Sequence, residues 1–482
     1  MLHSKVIINI LGFLILIEGI FIILCTPVSL LYHENDALPI LISGLITCLS
    51  GGIMWFFTKK EPKNISLRDG YIIVSIGWFL FSVFGSLPFL ISKAIPSFTD
   101  AFFETMSGFT TTGASILVDI ESLSHGLLFW RSLTQWLGGM GIIVLSLAVL
   151  PLLGIGGMQL FLAEVPGPNP DKLHPRISDT AKRLWIIYVL FTITESVLLW
   201  FGGMEVFDAI CHSFTTMATG GYSTKQASIA YWDSPYIHYV ITVFMFIAGT
   251  NFTLSYFALH FRFGKILKNE EFRYYLGFTI AFTLIFTLVL YMTMGHALEQ
   301  SFRDSVFQVV SIMTTTGFIT ADYLLWAPIL WILILILMFF GGSAGSTAGS
   351  IKTMRIVLII KNSMLELKRL IHPNAIIPVR FNGAAVPHDI ISNVLAFVSF
   401  YLIIFVISVV IMAALGCDFE TSIGAVATSL GNIGPGLGTV GPIGNYSHIH
   451  VLGKWFLSFL MLIGRLELFT VILLFSPAFW RK

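Results

Sequence analysis

The chain has 482 residues, 56% of them hydrophobic and 11% charged, with a formal net charge of +1 and a mean hydropathy of +0.87. A soluble globular domain, at about half apolar and a quarter charged, is excluded. The near-neutral total singles out no partner, and the four scattered cysteines (Cys25, Cys48, Cys211, Cys417) form no CxxC, so neither a disulfide framework nor a zinc site is suggested.

Hydropathy, broken at Gly, Pro and charged residues, predicts ten spans. The first two, 6–31 and 37–58, form a leader, and the first is too long for the core of a signal peptide and reads as retained. Eight more follow at 70–93, 126–150, 183–203, 236–260, 274–295, 326–360, 390–415 and 450–476, long enough to cross roughly 30 Å of hydrocarbon. Between them lie shorter semi-apolar segments near 98–110, 205–217, 301–314 and 419–430. These are too short to span and too apolar for ordinary loops, so they read as re-entrant. With the N-terminus inside, only Lys93, Arg131, Lys225, Arg303, Lys454 and Arg465 of the 27 Lys and Arg fall outside the inner segments. The positive-inside rule then places both termini in the cytoplasm and all four re-entrant segments on the outer face.

Those four segments repeat one another: "TDAFFETMSGFTTTGAS", "VFDAICHSFTTMATGGYS", "SFRDSVFQVVSIMTTTGFIT" and "DFETSIGAVATSLGNIGPGLG". An acid (Asp100, Asp208, Asp304, Glu420) precedes a glycine (Gly113, Gly220, Gly317, Gly434) by 12 to 14 residues in each. The second has ATGG where two others have TTTG, and alignment on Thr-Gly selects Gly220 over Gly221. One TTTG alone would be helix packing or a bend; four at matching offsets on one face argue for a site. The predicted fold is an all-α polytopic membrane protein. A two-helix leader (1–66) precedes four parallel helix–pore loop–helix repeats (67–165, 166–268, 269–375, 376–482) around a pseudo-fourfold axis normal to the membrane.

Non-helical backbone in the membrane is tolerated only beside a wet cavity. Four such loops around an axis supply carbonyl oxygens that can replace a cation's hydration shell. The candidate ligands are Thr111, Thr112 and Gly113 in the first loop, and Thr219 and Gly220 in the second. They continue with Thr315, Thr316 and Gly317 in the third, and Asn432, Ile433 and Gly434 in the fourth. Each short helix points a carboxyl end carrying roughly −0.5 charge at the axis. At about 8 Å and an effective dielectric near 20, each end stabilises a monovalent cation by about 1 kcal/mol. The leading acids suit a helix-cap role better than ion binding.

The third repeat's second span breaks at "FFGGSAGSTAGSIKT". The GxxxG spacing of Gly341, Gly345 and Gly349 fits a kinked packing helix. A P-loop is excluded, because Lys352 stands three residues beyond Gly349. A flexible gate that includes Gly342 is preferred, since a break of this size needs a cavity. Arg465 lies well inside the last span, and an intramembrane arginine is expensive. It either pairs with a carboxylate on another helix, such as Glu195, or faces the pore, where it repels a cation by about 3 kcal/mol at about 6 Å. The barrier reading is preferred.

The whole pattern resembles the Trk/Ktr/HKT superfamily of potassium transporters, over essentially the full chain. The ending "MLIGRLELFTVILLFSPAFWRK" and the two-span leader point to its bacterial TrkH branch. The resemblance implies potassium uptake across the inner membrane, with Gly113, Gly220, Gly317 and Gly434 as filter glycines. Some sodium-preferring relatives have serine in the first position, which favours potassium here. It also implies a gating role for the glycine-rich break and Arg465, a homodimer, and a cytosolic nucleotide-binding regulatory subunit of the TrkA type. Basic inner segments, notably 352–380, are plausible docking surfaces for that subunit. No catalytic constellation or nucleotide signature stands in the chain itself, so neither an enzyme nor a cofactor is expected. A sodium or mixed transporter of the same architecture is the alternative. An intramembrane enzyme would need acids, His or a nucleophile converging at one depth, whereas the acids here lead repeats.

Overall fold

The computed structural model describes residues 3–59, 66–141, 177–375 and 377–481. The leader is α1 (Ser4–Ile23) with its continuation α2 (Thr26–Leu31), packed along α3 (Ala37–Thr58). Small residues let these backbones touch. A Cβ on Gly12 would lie 2.6 Å from Met54 Cβ, and one on Gly19 would lie 2.6 Å from Cys48 N.

The first repeat opens with α4 (Leu67–Gly85) and α5 (Leu87–Ile91). Its start is a capping box: Ser66 Oγ accepts from Asp69 N at 3.2 Å, and Asp69 accepts from Ser66 N at 2.9 Å. Then come α6 (Phe98–Phe109) and α7 (His125–Gly139). The second repeat holds α8 (Ile177–Phe201), α9 (Val206–Met217), α10 (Pro235–Ala248) and α11 (Phe252–Leu259), followed by a short α12 (Phe263–Lys268). The third holds α13 (Glu270–Met294), α14 (Leu298–Met313), α15 (Pro328–Leu337) and α16 (Thr353–Ile371). The fourth holds α17 (His388–Ala414), α18 (Phe419–Gly431), α19 (Val451–Arg465), α20 (Phe469–Phe475) and the terminal α21 (Pro477–Trp480).

The helical membrane fold is as expected, and the short helices α6, α9, α14 and α18 fall on the four segments read as re-entrant. Span continuity is where the structure departs from the hydropathy reading. Six described helices are long and apolar enough to cross a membrane, or eight if each bent pair counts as one span. The expected spans 236–260 and 450–476 are such pairs, bent by 112° between α10 and α11 and by 119° between α19 and α20. The expected 326–360 resolves into the short α15, a non-helical stretch, and α16. The expected 126–150 begins as α7, and its part beyond Gly141 lies outside the described residues.

Each break has a local cause. At 249–251, Asn251 caps α11 by accepting from Thr253 N at 2.8 Å. In the last span, Glu467 (φ 53°) and Leu468 (φ 55°) both adopt left-handed backbone. In the third repeat, β1 (Phe340–Gly341) pairs in parallel with β2 (Ile351–Lys352), Phe340 opposite Ile351, and closes the stretch into a loop. A second pair, β3 (Arg380–Phe381) and β4 (Ala384–Ala385), is an antiparallel hairpin.

The fourth repeat returns to the first. Trp455 on α19 stacks on Phe102 of α6 with centroids 4.6 Å apart, and Lys454 Nζ donates to Asp100 Oδ1 at 2.6 Å. Replacing Gly12 by Leu forces α1 and α3 apart and should destabilise the protein by about 1–3 kcal/mol, read as a lowered Tm of the purified protein in detergent. An unchanged Tm would contradict the close seam.

Candidate ion pathway

The short helices end alike. After α6 the backbone at Thr112 N reaches back to Ser107 O at 2.8 Å. Gly220 N bonds Thr215 O at 2.8 Å, Thr316 N bonds Ser311 O at 2.8 Å, and Ile433 N bonds Thr428 O at 3.0 Å. These six-to-one closures need a left-handed residue just before them. Thr111 (φ 53°), Thr219 (φ 54°), Thr315 (φ 56°) and Asn432 (φ 55°) supply it. Two residues on, a second left-handed residue follows: Gly113 (φ 81°), Gly221 (φ 74°), Gly317 (φ 80°) and Gly434 (φ 101°).

The register of the second loop is therefore corrected. Gly221, not Gly220, is the counterpart of Gly113, Gly317 and Gly434, and Gly220 occupies the place of Thr112, Thr316 and Ile433. Thr-Gly alignment followed side-chain identity, whereas the repeat conserves a backbone rhythm in which only one position per loop demands glycine.

The four glycines close a ring. A Cβ on Gly113 would collide with the carbonyl oxygen of Gly220, one on Gly221 with that of Thr316, and one on Gly317 with that of Ile433. A Cβ on Gly434 would lie 2.9 Å from the carbonyl oxygen of Thr112. Each loop thus presses a glycine against the carbonyl of the next, and the fourth against the first. All four glycines line one cavity, whose outer wall includes Ser115, Lys225 and Asn445. Asn432 Nδ2 adds a side-chain tie to Thr112 Oγ1 at 2.9 Å.

Beneath the ring runs the loop between β1 and β2. Gly349 N donates to Thr315 Oγ1 at 2.7 Å, and Thr347 Oγ1 donates to Met217 O at 3.1 Å, at the end of α9. Ser343 N donates to Gly249 O at 2.8 Å and Phe252 N to Gly345 O at 3.1 Å, which satisfies the broken second span. Ala344 N reaches Glu271 Oε1 at 2.7 Å. A Cβ on Gly342 would lie 2.6 Å from Gly249 O, Gly345 is left-handed (φ 75°) beside Asn251, a Cβ on Gly341 would collide with Gly349 O, and one on Gly349 with Gly431 O. The glycines here serve close approach, and the loop is fastened on both sides.

Arg465 sits where loop and ring meet. Its Nη1 donates to Thr347 O at 2.8 Å and Thr111 Oγ1 at 3.1 Å, and its Nη2 to Gly138 O at 2.6 Å and Gly139 O at 3.0 Å. The expected alternative partner does not engage it: among the described residues, neither oxygen of the buried Glu195 has a hydrogen-bond partner. Glu467, two residues on, accepts from Arg355 of α16.

Asp100, Asp208 and Glu420 stand in the first turns of α6, α9 and α18, at the positive end of each helix dipole, but none is the N-cap residue. Asp100 binds Lys454, and Asp208 accepts from Thr224 Oγ1 at 2.7 Å. Asp304 lies in the second turn of α14. On α18 the cap is Asp418 rather than Glu420. It accepts from Thr421 N at 2.7 Å, and the Thr421 hydroxyl and N–H hold its carboxyl below the ordinary range.

Residues 38–482 match the TrkH family, described as cation transport proteins. This chain belongs to the TrkH family. It is 42% identical to the Trk system potassium uptake protein TrkH of Escherichia coli (strain K12), across 100% of both chains. It is 40% identical to TrkH of Halomonas elongata over 99% of both chains, and 36% identical to TrkG of Escherichia coli (strain K12) over 100% of this chain and 99% of that one. The structure matches the crystal structure of the potassium transporter TrkH from Vibrio parahaemolyticus with a TM-score of 0.90 and 39% identity, covering 100% of both chains. The TrkH family is one of membrane transporters and not of enzymes, as the absence of a catalytic pattern in the sequence led us to expect.

In this TrkH-family chain the corrected register has a direct test. Gly221→Ala adds a Cβ against the Thr316 carbonyl and costs a further 1–2 kcal/mol or so for left-handed backbone. Cation flux in reconstituted vesicles should fall at least about tenfold, since 1.4 kcal/mol is a factor of ten, while the protein elutes as the wild type. Wild-type flux would contradict Gly221 as the ring glycine.

Proposed function

We propose that this chain conducts potassium into the cell across the inner membrane, with both termini cytoplasmic, through the ring formed by its four loops. The observation that carries the reading is the closed ring, in which each left-handed glycine abuts the carbonyl of the next loop. The potassium uptake activity in the names of full-length relatives supports the choice of ion. The ion's ligands are backbone oxygens of Thr111 to Gly113, Thr219 to Gly221, Thr315 to Gly317 and Asn432 to Gly434. These ligands are uncharged. They replace water around a weakly hydrated monovalent ion and release it again, where carboxylates would hold it and favour divalent ions.

The loop carrying Gly341, Gly342, Gly345 and Gly349 acts as the gate on the inward side, with Arg465 as its latch and an electrostatic barrier. A regulatory cytosolic subunit of the TrkA type, carrying the nucleotide, docks on the inner face, and the chain works as a homodimer. What supports the docking surface is α16, which exposes Met364, Leu367 and Leu370 beside Lys368 and Arg369.

Rubidium uptake into vesicles containing the purified protein tests the reading. Potassium should compete at a lower concentration than sodium. Gly113→Ser, whose Cβ collides with the Gly220 carbonyl, should reduce that preference. Equal competition by sodium in the wild type would replace the potassium reading with a mixed transporter. Arg465→Ala should raise uptake by about tenfold or more, as removal of a barrier of about 3 kcal/mol implies; unchanged uptake by folded protein would count against the barrier.

A further inference from the structure

The second loop lacks a side chain where the other three have one. Thr112, Thr316 and Ile433 fill that position, and Gly220 leaves it empty. The space is taken by a residue of a different repeat. A Cβ on Gly220 would meet the amide group of Gln135, on α7, lying 2.5 Å from its Oε1 and 2.7 Å from its Nε2. The amide is also bonded to the loop in both senses. Gln135 Nε2 donates to Gly220 O at 2.7 Å, and Gln135 Oε1 accepts from Tyr222 N at 3.0 Å. Gln135 is fully buried.

One turn earlier on α7, Arg131 extends the attachment. Its Nε donates to Glu104 Oε1 at 2.7 Å, and its Nη1 to Ser223 O at 2.9 Å, both groups buried. Its guanidinium lies 3.5 Å from the centroid of the Tyr222 ring. Tyr222 Oη donates to Glu104 O at 2.7 Å, and Glu104 accepts from Ile116 N at 2.9 Å and Ser115 Oγ at 3.0 Å. The outward limbs of loops one and two are thereby joined through α6 and α7.

We propose that Gln135 is a specificity-setting positioning residue: its amide substitutes for the side chain missing at Gly220 and, with the Glu104–Arg131 pair behind it, fixes the carbonyls of the second loop relative to the first. The proposal rests on the reading of the ring as a potassium filter. Gln135 touches no ion. It acts through Gly220, whose carbonyl abuts Gly113.

The test uses competition of potassium and sodium against rubidium uptake by purified, reconstituted protein. Gln135→Met keeps volume and loses both hydrogen bonds. It should lower the potassium-to-sodium preference by about tenfold, the factor that two neutral hydrogen bonds of ordinary strength control. Gly220→Thr alone should do the same or worse, because its side chain overlaps the amide. The double variant Gly220→Thr/Gln135→Ala restores a Thr-Thr-Gly loop and clears the space for it, so preference should return to within about threefold of wild type, a coupling expected only between residues in contact. A structural role alone would change the yield or thermal stability and leave the ratio intact. Gln135→Met protein that elutes as wild type and keeps its ratio overturns the proposal, as does a double variant no better than Gly220→Thr. A wild type without potassium preference is a separate result, which overturns the filter reading itself.

Discussion

Four stretches of non-helical backbone meet inside this protein, and an unpaired backbone group there costs several kcal/mol. Each stretch solves the problem in the same way. The short helix closes its end with a six-to-one bond through a left-handed Thr or Asn. The chain then reverses again at a left-handed glycine, whose bare Cα lets the next loop's carbonyl approach. The ring depends on all four contacts at once, because a Cβ at any one glycine would press on a carbonyl of its neighbour. Span breaks follow from the same constraint. The carbonyl of Gly249 and the amide of Phe252, released where the second repeat bends, are both taken up by the loop between β1 and β2.

The repeats share this backbone and differ in what stands behind it. Nine residues before the ring glycine, the four helices carry Glu104, His212, Gln308 and Ala425. Glu104 holds Ser115, and at the matching place His212 Nε2 meets Ser223 Oγ at 2.9 Å. In the fourth repeat the ring glycine's own carbonyl is bound instead, by Tyr446 Oη at 3.0 Å. Pseudo-fourfold symmetry is thus a property of the main chain, and the first, second and fourth quarters are fastened by different side-chain chemistry.

Much of this was legible from composition and period. The segments read as re-entrant match α6, α9, α14 and α18 to within a few residues, because a short apolar run has few other options in a membrane. Membership of the TrkH family was also foreseeable from the repeated loops and the chain's ending. The bends at 249–251 and 466–468 were not foreseen, since hydropathy reports length and polarity but no direction. Gly249 beside the capping Asn251 was the available signal for the first; for the second, nothing marks Glu467 or Leu468 as left-handed. Gly220 was chosen over Gly221 for the same kind of reason. A Thr-Gly match is a statement about side chains, and the demand at this site is a φ angle two residues after the left-handed threonine. The reading that pairs Arg465 with Glu195 rests on the expectation that a buried arginine seeks a carboxylate. Among the described residues, neutral oxygens of Gly138, Gly139, Thr347 and Thr111 accept from Arg465, each charge-assisted bond contributing about 1.5–3 kcal/mol.

Those ties set a condition on any inward opening. The proposed gate is bound to the ring through two of its left-handed threonines. Gly349 N holds the Thr315 hydroxyl, and Arg465 Nη1 holds that of Thr111. Swinging the loop aside removes Gly349 from the third ring segment, and moving Arg465 releases the first. The second segment is held differently. Thr219 Oγ1 donates to its own helix end at Ala218 O, 2.6 Å away, and the loop's carbonyl is fixed from the side by Gln135. Opening therefore loosens loops one and three from below and breaks the bond from Thr347 Oγ1 to Met217 O at the end of α9, while loop two keeps its attachment to α7 through Gln135. On this reading the gate and the filter cannot be separate devices, because they share hydrogen bonds at the residues that turn the backbone into the ring.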